Sequence, residues 1–299
     1  MNKKSILLNI SKSILSFIIF LLTLIAILSV FAQSTVLNKK AYTKAILSVD
    51  LDNAVLKDVY NAIDEKGDMY ALDSDTLYSF FNEKSMVEFS HSHIELIIDS
   101  VLHQKKYSTP IYNEPDLKEK IKSALESASL ENEEVSEEEL NEFYDSLNST
   151  VNSSLRFLPE KYIKAALKIS PLFRNLNLLT KYYPIIIVVD ILFISLFVFM
   201  HRKSTTSSII YKTITPIWFA GAIISIPTLM IHSLDTAARI PLVKNSLYYV
   251  LTGTINSVIN GLLFVSTILF IAATVTLLAS TAFMVFKPAN RHQPSDTDL

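Results

Sequence analysis

The stretch Tyr183–Met200, YPIIIVVDILFISLFVFM, decides how the rest of this chain is read. Its one charge is Asp190, set among residues that are otherwise almost all aliphatic or aromatic. The hydrocarbon core of a bilayer is about 30 Å thick and a helix rises about 1.5 Å per residue, so about 20 apolar residues cross it. Tyr183–Met200 is therefore read as a transmembrane helix. Three more segments meet the same test: 13–32, whose core Ile14–Phe31 carries no charge; 214–231; and 262–286. The last lies inside an uncharged stretch, Asn245–Phe286, that is about twice as long as one crossing needs. Its first part is the more polar, with Tyr248, Tyr249, Asn256 and Asn260, and Gly253 and Gly261 interrupt it. The expected division is an outer loop, 232–261, holding an interfacial or re-entrant helix over about 241–260, followed by the span. One long helix projecting from the membrane is the alternative. Segment 13–32 exceeds the usual hydrophobic length of a signal peptide and reads as an uncleaved anchor.

Composition agrees with this reading. Of 299 residues, 50% are hydrophobic and 19% charged, below the roughly 25% charged of soluble chains. The net charge is -2, whereas a nucleic-acid-binding chain is normally basic. Zero cysteines exclude a disulfide scaffold, a thiolate nucleophile and a cysteine-ligated metal. Charge placement orients the spans, because Lys and Arg gather on the cytoplasmic side. The N-terminus 1–12, the loop 201–213 and the tail 287–299 hold eight basic residues against two acidic ones, a net of +6. The segment between spans one and two holds 17 basic against 25 acidic residues, a net of -8. Both termini are expected in the cytoplasm, and 33–182 outside as an extracytoplasmic domain.

That domain carries helical periodicity. Leu51, Val55, Val59 and Ile63 form a four-residue ladder, with Gly67 as the expected stop. Over Val87–Gln104, Ile94, Ile97, Ile98 and Val101 share one face. Pro115 suits the first turn of a helix that runs to Leu130 and presents Leu117, Ile121, Leu125 and Ala128. Ser136 and Glu139 form a capping box, with Val135 and Leu140 placed as a hydrophobic staple. The helix they start is expected to turn Leu140, Phe143, Tyr144 and Leu147 inward. Pro159 opens another helix, which Pro171 is expected to interrupt. The fold class is all-α: a four-helix transmembrane bundle with an α-helical extracytoplasmic domain between spans one and two.

Candidate chemistry is sparse. His91, Glu95, Asp99 and His103 recur every four residues, and His91 with Glu95 could share Zn²⁺; the plainer reading is the wet face of one helix. No stretch fits a Ca²⁺ loop, so no cofactor is expected. Asp190 is the more informative residue, since an intramembrane carboxylate is costly without a partner and is a functional candidate by default. The structural alternative is a protonated Asp190 hydrogen-bonded to a neighbouring helix through Asn256, Asn260, Thr267 or Ser225. Enzyme motifs such as GxSxG and the P-loop are absent. Small residues at four-residue spacing, Gly221/Ser225 and Gly253/Ser257/Gly261, allow close helix packing or a homo-oligomer, and Pro216 and Pro227 are expected to kink span three.

Ser34-Thr35-Val36-Leu37-Asn38-Lys39-Lys40-Ala41-Tyr42 follows the first span, and Leu155-Arg156-Phe157-Leu158-Pro159 precedes the last three. In this order of parts the chain resembles a loosely defined set of uncharacterised Gram-positive bacterial membrane proteins. The topology is also similar to the cell-division ABC permease family, which would bring an ATPase partner, although the cytoplasmic parts leave little surface to dock one. What these features lead us to expect is a non-enzymatic protein of the cell membrane with a binding, sensing or accessory domain outside. Its partners would be the lipid bilayer and an envelope protein or a second copy. A transporter using Asp190 is the other expectation.

Overall fold

A computed structural model describes residues 3–47, 49–70, 72–128, 136–156, 158–234 and 244–286. No strand occurs among them; the chain is all-α. The helices are α1 (Lys3–Phe31), α2 (Lys39–Ile46), α3 (Val49–Tyr70), α4 (Ser74–Ser79), α5 (Glu83–His103), α6 (Leu117–Ala128), α7 (Glu137–Leu155), α8 (Glu160–Thr180), α9 (Tyr183–Met200), α10 (Thr206–Ser233) and α11 (Asn245–Phe286). A π-helical turn, Ala32–Val36, follows α1. The helices divide into two compact units.

One unit comprises 1–31, 180–233 and 261–299. In it α1 packs on α9 and α10. Leu15 and Ile19 meet Phe197, and Ile27 meets Ala220 and Ile224. The residues inside are often small or polar: Thr23, Ala220, Ser225 and Ser266 are buried, while Ile185, Leu192, Phe264, Leu278 and Phe283 are exposed. Lipid tails are as apolar as leucine, so an arrangement with small residues inside and large apolar ones outside suits a bundle in hydrocarbon. A side chain at Gly221 would stand 3.2 Å from the Phe270 backbone, so the small residue lets α10 and α11 approach closely. Trp218 Nε1 donates to Thr274 Oγ1 at 2.9 Å between the same two helices.

Four helical stretches are long and apolar enough to cross a membrane: Ile6–Val36, Tyr183–Met200, Thr206–Ser233 and Asn245–Val285. Their bounds differ from expectation in three places, the first being Ile6–Val36, which starts inside the expected N-terminal segment 1–12. Helix α10 starts at Thr206, inside the expected loop, and holds Pro216 and Pro227. Helix α11 runs unbroken for 42 residues, where an interfacial helix and a separate span were expected. Gly253 and Gly261 do not break it, and Gly253 serves contact instead: a side chain there would come within 2.8 Å of the Ala45 carbonyl oxygen.

The other unit comprises 32–179 and 234–260. Helix α3 is its centre, packed on α4, α5 and α7. The ladder Leu51, Val55, Val59 and Ile63 is buried together with Leu117, Ile121, Leu140, Phe143 and Leu147, and Leu125 and Tyr144 pack at its margin. Three helix starts are capped as their polar residues allow: Asn38 Oδ1 accepts from Lys40 N, Asn82 Oδ1 from Ser85 N and Ser136 Oγ from Glu139 N. The reciprocal arm of the Ser136 box is altered, because the Ser136 hydroxyl itself donates to Glu139 Oε2 at 3.1 Å. The Val135 half of the staple, the acidic stretch 131–135 and the tail 287–299 lie outside the described residues.

Two expected breaks and one expected start move. Gly67 lies inside α3, which continues to Tyr70; a single glycine costs a helix only about 1 kcal/mol. Pro171 lies inside α8 on an exposed side, where a freed carbonyl is not trapped in a core. Pro115 sits in a turn before α6, and the turn closes at Asp116 with φ 57°, a left-handed conformation that Asp tolerates better than most residues.

Candidate functional site

Asp190 is buried on α9, within the first unit. Thr23 of α1 donates to its Oδ2 at 2.8 Å. Its Oδ1 has no hydrogen-bond partner among the described residues. The expected partners stand elsewhere: Asn256 and Asn260 are exposed and belong to the second unit. Ser225 Oγ and Thr267 Oγ1 are buried without a hydrogen bond among the described residues. The carboxyl is thus tied to a neighbouring helix, but through Thr23.

The stripe on α5 is divided among hydrogen bonds and salt bridges. His91 Nε2 meets Asp52 Oδ1 of α3 at 2.6 Å. Lys39 of α2 bridges Glu95 at 2.8 Å and Asp99 at 3.3 Å. Asp99 also receives Lys105 at 3.0 Å and His103 at 3.3 Å. Burial pushes the Asp99 carboxyl up, but the hydrogen bonds from Lys105 and Lys39 outweigh it and hold the group below the usual carboxylate range. The Glu95 hydrogen bond holds Lys39 above its ordinary value. Among the described residues no three His, Asp or Glu side chains come together as a metal site. The stripe joins α2, α3 and α5.

On the adjoining face α5 borders a cavity of about 230 Å³. Ile94, Ile97, Ile98 and Val101 line one side, Tyr42 and Ile46 of α2 another, and Phe173 of α8 with Val250, Leu251 and Thr254 of α11 a third, with Leu102 and Leu158 beside them. The two polar side chains in this wall are already engaged: Tyr42 donates its hydroxyl to Val36 O at 3.1 Å, and Thr254 donates to Val250 O at 2.7 Å. Among the described residues the cavity is therefore an apolar slot whose two hydroxyl protons are both taken up by backbone carbonyls. The isoleucine stripe was visible in the sequence, but whether such a face meets another side chain or a void depends on helices far away in the chain.

Polar anchors hold the surrounding frame. Asn152 of α7 accepts from Tyr112 N at 2.8 Å and donates to Tyr112 O at 2.9 Å, pairing with the segment between α5 and α6 as a strand would. Glu114 is buried and takes the Tyr112 hydroxyl and Lys120 Nζ, the latter at 3.3 Å. Burial, followed by that carboxylate, pushes the Tyr112 phenol up. Buried His93 shares a 3.0 Å hydrogen bond with Tyr107. Asp58 of α3 accepts from Ser246 N at 2.9 Å, Ser246 Oγ at 2.6 Å and Asn245 N at 3.3 Å, and so caps α11. Set against known proteins, the chain matches no protein-family model, no curated protein and no solved structure.

Proposed function

We propose that this chain is a non-enzymatic integral protein of the cell membrane whose second unit lies outside the cell and binds an apolar ligand or ligand segment. The apolar cavity between α2, α5, α8 and α11 carries this reading. Its volume suits several methylene groups, and among the described residues its wall presents no free side-chain donor to hold a polar substrate. Apolar contact without directed hydrogen bonds selects for hydrophobicity and size, which fits sensing or handling an acyl chain better than chemistry on it. The charge layout supports cytoplasmic termini.

Photo-crosslinking tests the reading. A fatty acid carrying a diazirine near its chain end is added to the full chain in lipid nanodiscs, and labelled peptides are identified by mass spectrometry. Labels on α5 and α8 that disappear in Ile97→Trp, a substitution that fills the slot, are the expected result. Labels confined to the apolar helices outside the cavity wall, unchanged in Ile97→Trp, overturn it.

A second reading, a transport or permease component, is favoured by one observation: a buried carboxyl beside α1, one oxygen of which has no hydrogen-bond partner among the described residues. Here Asp190→Asn should abolish substrate movement while the protein still folds and inserts.

A further inference from the structure

Helix α8 leaves an apolar face uncovered. Ile163 and Ser170 point inward and are buried, and Phe173 reaches the cavity. Tyr162, Ile169, Leu172 and Leu179 are 53%, 47%, 65% and 75% exposed. Their spacing of seven, three and seven residues puts them on one stripe, too large a run of apolar side chains to be left in water as scattered surface residues are. Its edge is basic: Lys161, Lys164 and Lys168 are all exposed, and Glu160, the one acid in the helix, bridges Lys164 at 2.9 Å. An apolar stripe bordered by lysine is the pattern of a helix lying in a headgroup layer.

Continuity of the chain identifies the occupant. Only Lys181 and Tyr182 separate α8 from α9, an apolar helix long enough to cross a bilayer. The end of α8 is therefore held at a membrane surface whatever else the protein binds. Lys181 Nζ stands 4.7 Å from the centre of the Tyr182 ring, a cation beside an amphipathic ring of the kind that settles among headgroups. The neighbouring surface supplies hydrocarbon for the stripe, and anionic headgroups supply charge for the lysines. A protein partner would need a complementary acidic rim and would still compete with lipid already tethered beside the helix.

We infer that α8 is a membrane-surface helix, with Tyr162, Ile169, Leu172 and Leu179 immersed at the boundary between headgroups and acyl chains of one leaflet and Lys161, Lys164 and Lys168 engaging anionic lipid phosphates. The inference goes beyond ligand binding in the cavity and rests on the reading of α9 as a span. A surface helix of this kind would make the second unit responsive to lipid composition, because Phe173 on the same helix forms part of the cavity wall.

The test uses the full chain in vesicles of phosphatidylcholine with phosphatidylglycerol, some of it brominated in the acyl chains. The chain has no cysteine, so a single introduced cysteine carries a single fluorophore. Labels at Ile169→Cys and Leu172→Cys should be quenched by the brominated lipid and shielded from aqueous iodide, and a label at Lys118→Cys, an exposed position of α6, should behave oppositely. Quenching at Leu172→Cys should fall several-fold when Lys161, Lys164 and Lys168 are all changed to Gln, and most clearly in phosphatidylglycerol-rich vesicles. A Leu192→Cys label on α9 separates the two premises. If it is lipid-quenched while those on α8 are open to iodide, the helix lies in water and the inference fails. If those on α8 are shielded from both quenchers, protein covers the face, a second copy included, and the inference fails equally. If Leu192→Cys is not lipid-quenched, the span reading fails and the inference with it.

Discussion

Thr23 donates its hydroxyl to Asp190 Oδ2 at 2.8 Å, linking α1 to α9 inside the apolar unit. Hydrogen bonds between membrane helices contribute about 0.6 kcal/mol on average, with larger values up to roughly 2 kcal/mol. Thr23→Val keeps the shape and removes the donor, so it should lower stability by about 1 kcal/mol. Asp190→Asn retains an acceptor oxygen for Thr23 and should fold, whereas Asp190→Leu loses the contact altogether. Unfolding by a denaturing detergent, followed by far-ultraviolet circular dichroism, ranks the three. Equal stability of Thr23→Val and the parent chain would show that the contact contributes nothing.

His93 gives the second unit a predictable response to acid. Burial, followed by the nearby Arg156 cation, pushes its pKa from the ordinary 6.5 down to about 4. The unfolded chain takes up this proton as pH falls through about 6.5, and the folded chain only near 4. More protons are bound by the unfolded state between those values, so stability is full above about pH 6.5 and declines toward pH 4, by about 3 kcal/mol at most. His93→Phe should shift the whole curve downward, because the hydrogen bond with Tyr107 is lost, while removing the part of the slope that belongs to this group. Urea titrations at a series of pH values measure both effects. A slope unchanged in His93→Phe would assign the acid response to other groups.

What could be read in the sequence was local. The ladder Leu51, Val55, Val59 and Ile63 and the Ser136 cap depend on residues three or four positions apart, and helical geometry alone places them. The four apolar stretches were legible for the same reason, since length and hydropathy are properties of a segment. Breakers misled where context overrode propensity, as at Gly67 and Pro171. Partners distant in the chain were not legible: nothing near Asp190 names Thr23, and nothing near Tyr112 names Asn152. The cavity belongs to this second class, because a void is defined by four helices together.

Gly253 marks where α11 meets α2. A side-chain carbon there would stand 2.8 Å from Ala45 O and 3.1 Å from Ile46 Cα, both backbone atoms that cannot turn aside. Gly253→Ala should therefore separate the helices and cost about 1–3 kcal/mol, as overpacking usually does. Ser257 donates to Ala41 O at 3.0 Å on the same contact and should weaken with it. Gly221→Ala is the milder comparison, since its nearest neighbour is Phe270 Cα at 3.2 Å. Thermal unfolding in one detergent should order the chains as parent, Gly221→Ala, Gly253→Ala; a Gly253→Ala chain as stable as the parent would mean the α2–α11 contact is not tight.

Asp58 makes the start of α11 depend on α3. Its carboxylate accepts from the backbone of Asn245 and Ser246 and from the Ser246 hydroxyl, satisfying donors that the first turn of a helix otherwise leaves open. Its negative charge also faces the positive end of the helix dipole. Asp58→Ala removes both effects and should cost about 1–2 kcal/mol. Asp58→Asn keeps one acceptor and loses the charge, so it should lie between. The loss should be local: amide hydrogen exchange at Tyr248, Tyr249 and Val250 should accelerate while α9 and α10 exchange as before. Val250 packs into the core of the second unit and lines the cavity, so fraying of this turn should also weaken crosslinking of the diazirine fatty acid to α5. Exchange that rises equally across all helices would show Asp58 to be a support of the whole chain rather than a cap on α11.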